Sequence, residues 1–283
     1  MANMYHVRSN SFPSASHPTT VKVEEELRNL RTFEATSTST SESIRTSLCF
    51  LQDLYICLDG FLNLASTQKL ISHHTGEKCV EDIVDGSLRL LDICGITRDT
   101  MLQIKENVQA LHSAIRRRKG DSSIARSVAE YNSFTKKVKK NAKKLITSLK
   151  QMDSNFGVSP LLNQDQDLAA LIRVLREVIA MNMSIFQSLL TFLVFPSSKS
   201  KVTKWLMVAK LMQKGEEKSN ELQRVDAALI TLLSDATNVE KMLAAREELE
   251  ALENAIESLE NGVESVFRPL IKTRASLLNI IAQ

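Results

Sequence analysis

Turn-forming and aromatic residues are scarce in this chain of 283 residues: it has 8 glycines, 5 prolines and one tryptophan, and aromatic side chains make up 5%. No proline stands between Pro18 and Pro160. Because proline breaks helix interiors and aromatic residues favour strands, a long proline-free run rich in Leu, Lys, Glu and Ala points to helices and away from an all-β fold. The four cysteines, Cys49, Cys57, Cys79 and Cys94, form no CxxC pair and have no histidine at metal spacing. That argues against a disulfide framework or a zinc module and suits free, buried thiols in a reducing compartment. Net charge is only +3, so no chain-wide field marks a polyanion binder. Nor does any Ser/His/Asp, Cys/His or paired-carboxylate arrangement stand out, and the expectation is no enzyme, no cofactor and no metal.

What the sequence does have is helical periodicity. The segment from Val80 to Gly120 carries apolar residues at Val80, Ile83, Val84, Leu88, Leu91, Cys94, Met101, Ile104, Val108, Leu111 and Ile115. That three-and-four spacing predicts one long amphipathic helix which the others cover, with Leu91 and Leu111 in the core. It ends on Arg116-Arg117-Arg118-Lys119-Gly120, cations and a glycine that suit a helix C-terminus. Before it, Val23, Leu27 and Leu30 mark a short helix, and Ala35 to Ser43 reads as a linker with Ser41 or Ser43 as a cap. Ile44, Leu48, Leu51, Tyr55, Leu58, Leu62 and Ala65 make a heptad-like stripe. A brief helix from Ser66-Thr67 fails at His73-His74-Thr75-Gly76. Those two histidines point about 100° apart on a helix, which makes them poor joint ligands for a metal.

After Gly120, Asp121-Ser122-Ser123 offers a cap, and Ile124, Val128, Tyr131, Val138, Ala142, Leu145, Leu149 and Met152 form the next stripe. Asp153 to Asp165, with Asn155, Gly157 and Pro160, is the main internal boundary. The domain reading is a tail over 1–20 and a helical domain over 21–283, divisible into sub-bundles 41–152 and 165–283. Val178 to Phe195 holds eighteen residues without a charge, the lower limit for a membrane span. Its polar Asn182, Ser184, Gln187, Ser188 and Thr191 favour a buried bundle helix instead. Glu216 to Val266 reads as one long helix whose heptad frame shifts by one residue after Val239, and Pro269 as the first turn of a last helix.

Charge is unevenly distributed. From Arg116 to Lys150 twelve Lys and Arg face only Asp121 and Glu130, a balance of +10. The candidate patch is Lys136, Lys137, Lys139, Lys140, Lys143 and Lys144. Between Glu240 and Glu264 eight glutamates face Lys241 and Arg246, a balance of −6. The simplest expectation pairs the two stretches within the fold. The alternative leaves the lysines free for a nucleic acid, an anionic membrane or an acidic protein, and the missing aromatic interleaving argues against nucleic acid. Around Trp205, the lysines 199, 201, 204, 210 and 214 with Leu206, Leu211 and Met212 have the composition of a membrane-surface helix, while packing at the bundle end is the plainer role for the tryptophan.

The first twenty residues are serine-rich, acid-free and without an apolar h-region. They are expected to form a disordered tail rather than a secretory signal, with an organelle transit peptide as the alternative. Arg8-Ser9-Asn10-Ser11-Phe12-Pro13 follows the R-S-x-S-x-P layout in which a phosphate on Ser11, between Arg8 and Pro13, would suit a 14-3-3-type reader.

Five blocks together carry a family likeness: RSNSFPS at Arg8 to Ser14 with EEELRNLR at Glu24 to Arg31, DGSLRLLDICGITRD at Asp85 to Asp99, SAIRRRKG at Ser113 to Gly120, and FRPLIKTRASLLNII at Phe267 to Ile281. Over nearly the whole chain the sequence resembles the plant-specific domain of unknown function grouped with the BYPASS-one-like proteins. The resemblance implies a plant protein with no assigned catalytic residues, linked loosely to root and shoot development. The expectation is an elongated, antiparallel all-α bundle of six to eight helices. It would act as a non-enzymatic, protein-binding regulator in the cytoplasm, with the nucleus or membrane periphery as alternatives.

Overall fold

A computed structural model describes residues 18–37, 40–117, 121–156, 166–194, 219–235 and 237–283. Among them are eight helices and no strand. In chain order they are α1 (Pro18–Thr36), α2 (Ser41–Leu62), α3 (Ala65–His73), α4 (Lys78–Arg116), α5 (Asp121–Phe156), α6 (Gln166–Val194), α7 (Glu221–Ser234) and α8 (Val239–Ile281). The all-α expectation holds. The Ser11 motif, its flanking Arg8 and Pro13, and the Trp205 segment lie outside the described residues.

Short connections explain how neighbouring helices meet. Thr40, not Ser41 or Ser43, caps α2 by accepting the Ser43 amide at 3.3 Å, the usual role of a threonine just before the first helical residue. The stripe from Ile44 to Leu62 is buried as the spacing predicts, while Ala65 is exposed at the start of α3. There the chain bends by 76°. Gly76 closes the turn into α4 with φ 89°, a left-handed conformation that glycine adopts without a Cβ penalty.

Helices α4 and α8, 39 and 43 residues long, run antiparallel along one another. Arg98 meets Glu264 at 3.0 Å, Lys105 meets Glu257 at 3.2 Å and Glu260 at 3.1 Å, and Arg274 donates to Ser87 Oγ at 2.9 Å and Val84 O at 2.7 Å. Exposed pairs of this kind contribute about 0–1 kcal/mol each, so the row sets register more than stability. The adhesion comes from Leu249, Leu252, Ile256, Leu259, Val263 and Val266, all fully buried. Helix α2 lies beside α8 in the same direction. Lys272 reaches Asp59 at 2.8 Å, and at Gly262 a Cβ would stand 2.8 Å from Leu48 Cδ1 and 3.3 Å from Leu48 Cβ. A branched side chain cannot enter that approach without forcing the two helices apart. Gly262→Val is therefore expected to cost about 1–3 kcal/mol, as overpacked cores do; urea unfolding of the variant checks it.

Two sequence expectations are corrected in this part of the fold. The run read as one helix from Glu216 to Val266 turns back at Asp235–Asn238, where Asn238 accepts the amides of Glu240 and Lys241 and begins α8. The frame shift near Val239 marks a turn rather than the drift of a long helix. Arg224 of α7 meets Glu248 of α8 at 2.8 Å, so the pair forms a helical hairpin. Pro269 lies inside α8 instead of starting a new helix.

On α4 the buried frame is Ile83, Ser87, Leu90, Ile93, Cys94 and Thr97, whereas Leu88 is exposed and Leu91 only half-buried. Counting apolar residues alone misplaces this frame, because the small Gly86, Ser87 and Thr97 are buried on it, Ser87 taking a hydrogen bond from Arg274 of α8. Cys79 and Cys94 are buried as expected, but Cys49 is exposed and Cys57 half-buried.

Helix α6 sits among α1, α2, α3, α4 and α5. By length and composition it could cross a membrane, yet its apolar residues from Leu168 to Leu193 are spent against those five neighbours. Its most buried polar side chains are partnered: Asn182 accepts from Tyr55 Oη at 3.1 Å and donates to Val178 O at 2.8 Å, and Ser184 donates to Glu34 at 3.2 Å. Buried side chains from α1 through α8 join one continuous core, to which segments 41–152 and 165–283 contribute interleaved helices.

Candidate functional site: a lysine face beside an apolar groove

Helix α5 forms because its apolar residues recur on one side. Ile124, Val128, Tyr131, Val138, Ala142, Leu149 and Met152 are buried against α4 and α6, with Leu145 half-buried. The solvent side of its second half is rich in lysine. Lys136, Lys137, Lys140, Lys143, Lys144 and Lys150 are exposed, and no carboxylate among the described residues pairs with them. Lys139 differs, being half-buried and 3.5 Å from Asp226 of α7.

The expected pairing of this face with the acidic stretch of α8 is not what the structure shows. Glu253, Glu257, Glu260 and Glu264 turn toward His112, Lys105 and Arg98 of α4, and Glu248 toward Arg224 of α7. Helix α4 carries its own cations on the flank that meets α8, so these four glutamates are engaged there. Its hydrogen bonds to Glu260 and then Glu257 hold the Lys105 ammonium above its ordinary range.

Beside the lysine face runs a groove of about 540 Å³ between α5 and α7. Val128 and Leu229 form its apolar floor, Ile230 and Leu233 one wall, and Lys136 stands at the opposite rim; the Lys139–Asp226 pair ties the two helices together within it. Ile230 and Leu233 are 39% and 45% exposed, so the wall is only half used by the fold. Lys143 and Lys150 follow Lys136 at intervals of seven residues and therefore continue the same edge of α5. Behind the groove, burial and then the nearby Asp226 carboxylate push the Tyr131 phenol upward, keeping it neutral. The sequence reading found the lysines but missed Asp226, Ile230 and Leu233. A signal was present: Ile230 and Leu233 are apolar yet lie off the Leu222–Val225–Leu229–Leu232 frame, which marks a second apolar flank.

Elsewhere the sequence candidates separate. His73 and His74 bond through Nδ1 to the carbonyls of Lys69 and Leu70, at 2.8 and 2.9 Å, each ring folded back on its own helix. Among the described residues no three His, Cys, Asp or Glu side chains gather as a metal site. Burial drives the Cys94 thiol up to about 12, with the Glu264 charge adding and Arg98 opposing.

Fold and surface together define a helical-bundle protein with one strongly basic helix flanking an open groove. The chain belongs to the family described as Protein BPS1, whose family model matches residues 47–280, a BYPASS-like plant domain of unknown function. The match runs from α2 to the end of α8, leaving out α1. Membership makes it a plant-specific protein. No curated protein and no solved structure matches the chain.

Proposed function

We propose that this protein acts in plant development as a non-enzymatic interaction protein that binds an acidic partner protein through the lysine face of α5. The observation that carries this reading is the exposure of Lys136, Lys137, Lys140, Lys143, Lys144 and Lys150 while Glu253, Glu257, Glu260 and Glu264 of α8 are engaged by α4. A field of one sign on one helix raises the local concentration of an oppositely charged partner and speeds its encounter. The use of α6 as a core element, packed by five helices, favours a protein partner over insertion of Val178 to Phe195 into a membrane. Scarce aromatics beside the lysines favour protein over nucleic acid.

Replacing Lys137, Lys140, Lys143 and Lys144 by Gln tests the reading, since exposed substitutions usually change stability by no more than about 0.5 kcal/mol each. Proximity labelling in plant cells is expected to lose a set of acidic neighbours in this variant while its melting temperature stays close to the parent's. Unchanged neighbours would overturn the reading. Loss of binding to RNA or anionic liposomes, with the protein neighbours retained, would replace it by one of those polyanions.

A further inference from the structure

We infer that the groove between α5 and α7 is the seat of an amphipathic helix from the partner, one with an apolar stripe flanked by Asp or Glu. This rests on the proposed function and deepens it by naming the part of the surface that recognises the partner and the pattern it reads.

Three features lead there. The groove is concave, and its floor and one wall are aliphatic: Val128, Leu229, Ile230 and Leu233. A flat bilayer cannot fill a trough between two helices, whereas side chains projecting from a third helix at three-and-four spacing can, the general mode of helix-in-groove recognition. Of the polar groups lining it on the α5 side, Lys139 pairs with Asp226 at 3.5 Å and the Thr135 hydroxyl donates to Tyr131 O at 2.9 Å, leaving Asn132 and Lys136 toward the rim, so the floor between Val128 and Leu229 carries no net charge and suits an apolar insert. The rim offers the reverse. Lys136 lines the groove, Lys143 and Lys150 extend its side of α5 beyond it at every second turn, and α7 carries no basic residue after Arg224. Charge complementarity therefore favours a helix with carboxylates along the side that meets α5. A small apolar ligand would use the floor but leave the lysine row idle; an unpatterned acidic chain would use the row but leave Ile230 and Leu233 wet.

The test uses the full-length protein and three probes in fluorescence anisotropy or co-sedimentation. One is a labelled acidic helical peptide of about 20 residues with leucines at three-and-four spacing. The second is the same peptide with every leucine replaced by serine, and the third is phosphatidylcholine vesicles carrying phosphatidylserine. The leucine peptide is expected to bind at least about tenfold more tightly than the serine peptide, a difference of about 1.4 kcal/mol. The double variant Ile230→Ser, Leu233→Ser removes that advantage without changing the weak, salt-sensitive binding of the serine peptide. The double variant Lys136→Gln, Lys143→Gln weakens both peptides.

Equal affinity of the two peptides for the parent protein overturns the groove assignment; if the lysine variant still weakens both, the charge reading stands. Peptide binding untouched by the lysine variant overturns the charge reading itself. Binding to the vesicles with none to either peptide overturns both in favour of a lipid surface. Should Ile230→Ser, Leu233→Ser fail to fold, the comparison of the two peptides on the parent protein decides alone.

Discussion

Leu90→Ala is expected to lower the unfolding free energy by about 2–5 kcal/mol, while Leu91→Ala, one residue on, costs well under half of that. The two side chains are chemically identical and neighbours in sequence, so the contrast isolates position. Leu90 is 1% exposed and faces the core, whereas Leu91 is only half-buried at its edge. Deleting three carbons at Leu90 loses their transfer free energy and leaves a cavity that long, well-packed helices cannot close; the same deletion at Leu91 opens to solvent and collapses. Leu111→Ala, at 2% exposure, should match Leu90→Ala. Urea midpoints for the three variants decide the matter, and equal losses at Leu90 and Leu91 would place the buried frame of α4 one residue off.

Stability should also collapse in alkali, and the causes are three buried acids. Tyr55 is raised mainly by burial, then by Cys94; Tyr131 by burial, then by Asp226; and Cys94 by burial from its ordinary 9.0 to about 12. All three stay protonated in the folded chain at pH values where the unfolded chain has lost the proton. The unfolded state then binds fewer protons, so stability is intact below about pH 9 and falls as the pH climbs toward the folded values. Cys94 alone contributes about 1.4 kcal/mol of loss per pH unit across that window. Lys105, half-buried and held above its ordinary range by Glu260 and Glu257, acts in the same direction. The urea midpoint should therefore drop steeply between about pH 9 and 12, and the variant Tyr55→Phe, Tyr131→Phe, Cys94→Ala should start less stable yet fall more gently. A variant with the parent's slope would refute this account.

Helix existence was legible because burial on one side imposes a period that survives in the sequence, as the Ile44 to Leu62 and Ile124 to Met152 stripes do. Where legibility failed, the signal was not hydrophobicity. The buried frame of α4 includes Gly86, Ser87 and Thr97, which earn their place by being small and, for Ser87, by accepting a hydrogen bond from Arg274. The reversal at Asp235–Asn238 contains neither glycine nor proline and depends on an asparagine cap. Pro269 is tolerated in mid-helix because neighbouring helices hold α8 on both sides of it. The lysine face was visible as composition, but its freedom was not, since nothing local tells Glu257 to prefer Lys105 over a lysine of α5. The groove needed two helices about ninety residues apart to be brought together, a long-range fact that no window contains.

Helix α8 touches α2, α3, α4 and α7, and the ribosome makes it after all four. While the ribosome delivers the chain from one end to the other, the faces of α2 and α4 that await Leu249 to Ile280 remain uncovered until those residues emerge. Helices form locally within microseconds, but this closing step spans most of the sequence and belongs to the slow, non-local class of contact. The nascent protein must therefore pass through a stage in which finished helices display an unfilled slot, one that another chain's apolar helix could enter by mistake. Its demand on chaperones is set by how long α8 takes to arrive.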